Sequence, residues 1–255
     1  MTEHERLRVF ASADDLSSAA ARLFADRACE AVGLRGRFTV ALAGGSTPRE
    51  LYRVLADDEA LRGAVSWPDV HVFWGDERHV PPTHGDSNFR MVREAMLDRV
   101  PIPPHQIHRI GAEDPDAERV ALAYEETIRA SFGLADGEWP SFDLILLGMG
   151  EDGHTASLFP GSPAVHETAR FVVAPFIEKL GACRITMTPP VFAQARDIAV
   201  LVAGTNKADA LREALEGPFL PDRYPVQRLR DSIGTVTWLV DAPAASALSP
   251  GLCRA

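Results

Sequence analysis

Short apolar runs that alternate with helix-like segments constrain the fold of this chain more than any other feature. Five runs are apolar on both faces: FTVALA (38–43), VHVFW (70–74), FDLILLG (142–148), IAVLVAG (198–204) and TVTWLV (235–240). A strand of that kind needs helices on both sides of its sheet. Strands joined by helices form right-handed crossovers between parallel neighbours. The sequence therefore predicts an α/β fold with a mostly parallel sheet flanked by helices.

Weaker patterns add elements without indicating a second domain. The runs RFVVA (170–174) and RITMT (184–188) are shorter and predict two further strands. The segment 216–232 is the longest irregular stretch and is more typical of a functional loop than of a domain boundary. No repeat or clear linker interrupts the chain, so residues 1–255 are expected to form one domain.

Helical spacing and start signals occupy the connections between the strands. Apolar positions within 16–28 keep a helical period, and Ser12 is the expected N-cap of that helix. Two more helices are expected to begin near Ser87 and shortly after Pro115, and another covers 205–215.

Charge and composition exclude several classes of function. The chain has 36 acids and 26 bases, and a net charge of −10 speaks against a nucleic-acid partner. No apolar run approaches the roughly 20 residues that a membrane span needs, and the first ten residues lack a signal peptide's apolar core. The three cysteines, Cys29, Cys183 and Cys253, are far apart and are expected to be reduced thiols. A cytoplasmic protein, monomeric or weakly homo-oligomeric, is expected.

A glycine turn follows the first apolar run. Its residues are Gly44, Gly45, Ser46 and Thr47. Thr47 as N-cap, Pro48 at the first helical position and Glu50 three residues after the cap form a capping box. Free N–H groups beside glycines at a helix start favour phosphate. A tight βα turn with a good cap explains the same residues.

Two cations stand after other strand ends, where ligands bind in parallel α/β sheets. Asp76, Glu77 and Arg78 follow the second run, and the Arg78 fork suits phosphate or carboxylate. The alternative is a solvated turn with an internal Asp–Arg pair. Lys207 stands in the first turn of a helix, where a cation is unfavourable unless an anion binds. The alternative is a solvated surface lysine.

The segment LILLGMGEDGHTASLFPG (144–161) holds the clearest chemical signal. Asp152 lies two residues before His154, and a carboxylate can fix the tautomer of a histidine and support its protonated form. A structural turn histidine is the alternative. Metal ligation is less favoured because no HExxH motif occurs. The strand ends together predict acid–base chemistry on a phosphorylated small molecule.

The same segments resemble the 6-phosphogluconolactonases. The matching blocks are LAGGSTPRELY (42–52), FWGDERHVPPTHGDSNFRM (73–91), FDLILLGMGEDGHTASLFPGS (142–162), RITMTPPVFAQAR (184–196) and LVAGTNKADAL (201–211). The resemblance implies a Rossmann-like fold shared with glucosamine-6-phosphate deaminases and ribose-5-phosphate isomerases. It also implies hydrolysis of 6-phospho-D-glucono-1,5-lactone in the oxidative pentose phosphate pathway, with no cofactor. The other histidines show no ligand spacing with His154, so no metal requirement is expected.

The resemblance implies roles for individual residues. His154 is the expected general base with Asp152 beside it, and Asp76, Arg78 and Lys207 are expected substrate ligands. The turn that runs from Gly44 to Thr47 is expected to bind substrate as well. The segment 224–230 follows the family less closely and receives no role.

Two rival functions remain open on this fold. One is a sugar-phosphate deaminase or isomerase, and the other is a non-catalytic sugar-phosphate sensor, although no helix-turn-helix precedes residue 38. Deaminases resemble this chain in a loop of the form DGHIAFNEP, where a glutamate stands five residues after the histidine. Phe159 occupies that place here, and Arg78 stands where deaminases have tyrosine.

Overall fold

The computed structural model describes residues 4–252, so Cys253 lies outside the described part, while Cys29 and Cys183 carry free thiols. The strands are β1 (Glu5–Phe10), β2 (Phe38–Leu42), β3 (Val70–Trp74), β4 (Asp76–Arg78), β5 (Leu144–Gly148), β6 (Val172–Val173), β7 (Phe176–Ile177), β8 (Ala182–Met187), β9 (Asp197–Val202) and β10 (Thr235–Asp241). The helices are α1 (Ala13–Arg35), α2 (Ser46–Asp57), α3 (Glu59–Ala64), α4 (Asn88–Ala95), α5 (Ala117–Phe132), α6 (Pro189–Ala193) and α7 (Ala208–Glu216). No helix in this part of the chain is both long and apolar enough to span a bilayer.

The main sheet has six parallel strands in the order β1-β10-β9-β5-β2-β3. The four interior strands, β10, β9, β5 and β2, and the edge strand β3 are those that the apolar runs predict, and their side chains are almost all buried. The predicted α/β class with a mostly parallel, helix-flanked sheet is confirmed. The prediction omits β1, because its sequence ERLRVF mixes charges with apolar residues, as a half-exposed edge strand does.

A small antiparallel sheet adjoins the carboxyl edge of the main sheet. It has the order β4-β8-β6, and β7 also pairs with β8. The two weaker runs therefore form strands, but in this second sheet, and the first shortens to Val172–Val173. The chain passes between the sheets at Gly75, whose N–H donates to Leu42 O and whose carbonyl accepts from Met187 N. This connection carries β4 directly past the strand ends.

Helix starts agree with the sequence at three positions. The hydroxyl of Ser12 accepts from the N–H of Asp15 at the start of α1, and Ser87 caps α4 in the same way. The helix expected after Pro115 begins at Ala117, with Asp116 as its N-cap. The last predicted helix is divided into a 3₁₀ turn, Thr205–Lys207, and α7.

Two buried tyrosines fix the ends of β2 and β3 where the site forms. The Tyr52 hydroxyl bonds both the N–H and the carbonyl of Ala43, and Tyr124 does the same with Trp74. Burial raises the pKa of both phenols far above the usual range, so both remain neutral donors.

His71 on edge strand β3 forms a pair with His108, which lies beside that strand. His71 Nδ1 lies 3.2 Å from His108 Nε2, and the His108 ring stacks on Phe73 with centroids 4.4 Å apart. Burial, followed by the charges of His71 and His105, lowers the pKa of His108 to about 4. Burial also lowers the pKa of His71.

Because His108 has a lower pKa in the folded than in the unfolded chain, where it is about 6.5, protonation favours unfolding. The contribution of neutral His108 to the free energy of unfolding should be fully present above about pH 6.5. It should decrease as the pH falls towards 4. We expect thermal unfolding midpoints between pH 7 and pH 5 to change less in His108→Gln than in the wild-type protein. Equal changes in both proteins would contradict this expectation.

Candidate active site

A cavity of about 250 Å³ lies beyond the carboxyl ends of β2, β3, β5 and β9. Parallel strands bring their ends to one edge, which places distant residues together. The cavity is lined by eight of the nine predicted site residues: Gly44, Gly45, Ser46, Thr47, Asp76, Arg78, His154 and Lys207. Asp152 does not line it, but bonds a residue that does.

The glycine turn differs from its predicted geometry. Helix α2 begins at Ser46, its N-cap is Gly45, and no side chain caps it. The predicted capping box with Thr47 as N-cap is therefore wrong. Gly45 has φ 104°, a conformation that residues with a Cβ rarely adopt. This conformation lets the helix begin at Ser46, before the predicted N-cap Thr47. The first N–H groups of α2 therefore have no side-chain partner, and their residues, Ser46 and Thr47, line the cavity.

Asn88 is a cavity residue that the sequence reasoning missed. Its amide nitrogen donates to the carbonyl of Asp76 at 2.9 Å, and its amide oxygen faces Gly44. A Cβ on Gly44 would lie 1.9 Å from that oxygen. The signals in the sequence are the position of Asn88 directly after the helix cap Ser87 and its place within the matching block 73–91.

The acids of β4 are buried and do not form a solvated turn. Asp76 accepts from the Ser157 hydroxyl at 2.6 Å, so it joins β4 to the loop that carries His154. Glu77 accepts the backbone N–H groups of Arg78, Asn88 and Phe89 within 2.8 Å. Burial raises the pKa of Glu77, although these donors oppose the rise. The two acids therefore organise the site around Arg78.

Two arginines occupy paired positions of the small sheet. Arg78 pairs directly with Arg184 across β4 and β8, and its guanidinium donates to the carbonyl of Asp86 at 2.5 Å. Burial, followed by the charge of Arg78, lowers the pKa of Arg184. Among the described residues, neither guanidinium forms an ion pair with an acid, and neither does Lys207 on the facing side of the cavity. The sequence reasoning missed Arg184, because an antiparallel pairing separated by a hundred residues leaves no local signal.

The loop after β5 presents His154 through short-range hydrogen bonds. The N–H of Gly150 donates to the His154 carbonyl at 2.8 Å, and the Thr155 hydroxyl donates to the Gly148 carbonyl. Nδ1 of His154 lies 2.5 Å from Oδ1 of Asp152. A proton on Nδ1 satisfies this contact, which leaves Nε2 as the basic nitrogen.

Two more side chains complete the surroundings of the imidazole. The Phe159 ring stacks on His154 with centroids 4.3 Å apart and planes tilted by 30°. Lys179 donates to Oδ2 of Asp152, and its ammonium lies 4.5 Å from the Phe159 centroid. Burial would raise the pKa of Asp152, but hydrogen bonds from His154 and Lys179 outweigh it and hold that pKa far below its usual range. Lys179 lies on a short 3₁₀ turn, and no pattern in the sequence indicates its contact with Asp152.

The C-terminal segment, residues 216–232, borders this loop. The N–H of Val226 donates to the Gly153 carbonyl, and the Asp222 carbonyl accepts from Gly161 N–H. Gly153 has φ 75°, and a Cβ there would lie 2.8 Å from the Tyr224 ring. Close packing of Tyr224 therefore requires glycine at this position. Among the described residues, no group of three or more His, Cys, Asp or Glu side chains could hold a metal ion.

The fold and the cavity define a Rossmann-like α/β protein with a polar, cation-bearing site beyond its strand ends. Residues 11–238 match the family described as glucosamine-6-phosphate isomerases/6-phosphogluconolactonase, and the chain belongs to that family.

Relatives agree with this assignment. The chain is 43% identical to the 6-phosphogluconolactonase of Synechocystis sp. over 88% of its own length and 90% of that protein. The solved 6-phosphogluconolactonase from Trypanosoma cruzi superposes with a TM-score of 0.86 at 30% identity, covering 98% of each chain. A monomeric glucosamine-6-phosphate deaminase is 24% identical over 95% of this chain and 99% of its own, with a TM-score of 0.79, and so shares the fold.

Proposed function

We propose that this protein hydrolyses 6-phospho-D-glucono-1,5-lactone to 6-phosphogluconate, the second step of the oxidative pentose phosphate pathway. The observation that carries the proposal is a histidine held by Asp152 at the edge of a cavity that also contains Arg78 and Lys207. The relatives named above support the lactone as the substrate.

The chemistry needs one base and one site for negative charge. Nε2 of His154 takes a proton from water as the water oxygen attacks C1. The carbonyl oxygen becomes an oxyanion, and the free N–H groups at the start of α2, beside Gly44 and Gly45, are suitable donors. The bond between C1 and the ring oxygen then breaks, and His154 returns the proton to the leaving oxygen. No covalent intermediate is required.

Three cations suit the phosphate group. Arg78 and Lys207 line the cavity, and Arg184 pairs with Arg78 across the small sheet. None of the three forms an ion pair among the described residues, so all three are available to an anion. Binding the remote phosphate would place C1 near the base and convert binding energy into orientation.

The decisive experiment measures proton release after freshly prepared 6-phosphogluconolactone is added, with the enzyme-free rate as the reference. A rate equal to that reference would refute the proposal. Ammonia from glucosamine 6-phosphate should stay at the enzyme-free level, because an apolar ring stacks on His154 where deaminases have a carboxylate. Ammonia release without lactone hydrolysis would favour the deaminase instead.

Single replacements of the three cations should separate phosphate binding from chemistry. In Arg78→Ala, Arg184→Ala and Lys207→Ala we expect kcat/KM for the phosphorylated lactone to fall about 10- to 100-fold, as for loss of a charged hydrogen bond. Unphosphorylated glucono-1,5-lactone should be affected much less. Arg22→Ala, an exposed arginine on α1, is the control. Equal losses on both substrates would assign these cations to C1 or to structure.

Several expectations remain predictions from the sequence. The continuous hydrophobic core supports our proposal that the chain works as one domain. The absence of a cofactor or metal requirement, the monomeric or weakly associated state and the cytoplasmic location stay predictions.

A further inference from the structure

Lysine is rare in this chain. All but two of the 26 basic residues are arginine, and the exceptions are Lys179 and Lys207. Both lie at the candidate active site, since Lys207 lines the cavity and Lys179 bonds Asp152. Lys207 has a proposed role in binding phosphate, whereas Lys179 does not line the cavity and has none.

Lys179 lies on a 3₁₀ turn, Glu178–Leu180, between β7 and β8. Its ammonium bonds one oxygen of Asp152, and the other oxygen of that carboxylate bonds His154. The same ammonium lies over the ring of Phe159, which stacks on the imidazole. These four side chains form a closed set of contacts around one face and one nitrogen of the imidazole.

We propose that Lys179 is a positioning residue that holds the Asp152 carboxylate towards His154 and offsets part of its negative charge. The imidazole then keeps its Nδ1 proton and leaves Nε2 neutral and basic. This inference rests on the proposed function, in which His154 is the base.

The geometry also explains why this cation is lysine in a chain rich in arginine. An ammonium is a point charge that can bond Oδ2 of Asp152 alone. A guanidinium has a planar fork that binds both oxygens of a carboxylate. Arginine at position 179 would therefore compete with His154 for Oδ1.

The charged and titratable groups around His154 come from four elements besides its own loop. Asp152 belongs to the loop and Lys179 to the turn of the small sheet. Asp76 and Arg78 belong to β4, and Lys207 belongs to the turn after β9. Tyr224, on the C-terminal segment, packs against the neighbouring Gly153. Among the described residues, Asp152 is the acid that bonds the imidazole. Removing Lys179 leaves the negative charge of Asp152 without this counter-charge, and this favours the imidazolium form of His154.

Lys179→Met and Lys179→Arg test the inference through the pH dependence of kcat/KM. We expect the acid limb of the profile in Lys179→Met to move to higher pH by roughly half a unit to one unit. Lys179→Arg should lower the plateau at all pH values because His154 loses its partner. Arg22→Met removes one positive charge from an exposed site on α1 and should leave the profile unchanged.

A second measurement is independent of turnover. The midpoint of the His154 imidazole titration, followed by NMR and assigned by its absence in His154→Asn, should move in the same direction in Lys179→Met. The Lys179 side chain is 52% exposed, so its ion pair adds little stability and the variants should fold.

An unchanged profile together with an unchanged titration midpoint would overturn the inference. A selective loss on the phosphorylated lactone, with the acid limb unmoved, would also overturn it and would make Lys179 a phosphate ligand. If the wild-type protein opened no lactone, the proposed function would fail, whereas the NMR midpoint would still decide whether Lys179 controls the imidazole.

Discussion

Replacement of His154 by asparagine should reduce kcat/KM for 6-phosphogluconolactone by roughly 10²- to 10⁴-fold, the usual contribution of a general base. Asparagine retains an amide that can bond Asp152, but it has no basic nitrogen at the position of Nε2. The side chain of His154 is partly exposed at the cavity, so the thermal unfolding midpoint should remain close to that of the wild-type protein.

The assay compares initial proton release with the spontaneous rate at several enzyme concentrations. His105→Asn, at an exposed histidine outside the cavity, is the control for loss of an imidazole. Activity near the wild-type level in His154→Asn would remove His154 from the mechanism, whatever the substrate proves to be.

Gly150→Ala should inactivate the enzyme by about 100-fold although it removes no reacting group. A Cβ at this position would lie 2.0 Å from Nδ1 of His154 and 2.7 Å from Oδ1 of Asp152. The imidazole is stacked on Phe159, so it cannot move aside without losing its orientation. A displacement of about 1 Å in a catalytic group can reduce a rate by that factor.

The control for this substitution is Gly111→Ala, because an added Cβ there meets no atom within 4 Å. Both variants should show similar thermal unfolding, and only Gly150→Ala should lose turnover. Full activity in Gly150→Ala would mean that the loop adjusts and that the bond between Asp152 and His154 is dispensable.

Local patterns predict the main sheet because its strands are apolar on both faces. The same reasoning cannot detect β4, since Asp76, Glu77 and Arg78 look like a turn until β8 supplies their partners. The burial of Glu77 depends on donors at 87–89, which the fold brings close. Strand pairing between distant segments is therefore the part of the fold that composition and periodicity leave undetermined.

The site divides in a similar way. His154 and Asp152 are two residues apart, so a local pattern can propose their interaction. Lys179, Arg184 and Asn88 join the site only through tertiary contacts. Asn88 and Arg184 lie within blocks that match the family, but no local pattern gives any of the three a role. At Thr47 the local pattern predicts a capping box that the structure does not form. The backbone freedom of Gly45 lets the helix begin at Ser46 instead.

The hydrogen bonds that link the histidine loop to its surroundings have a consequence for ligand affinity. Ser157 bonds Asp76 on β4, while the 216–232 segment bonds the loop at Gly153 and Gly161. A loop bonded to two separate elements has few alternative conformations, so nearly every molecule should already be competent to bind. Because the binding-competent conformation is almost fully populated, the apparent affinity equals the intrinsic affinity. A rigid analogue of the tetrahedral intermediate should therefore bind in one kinetic phase, without a slow isomerisation.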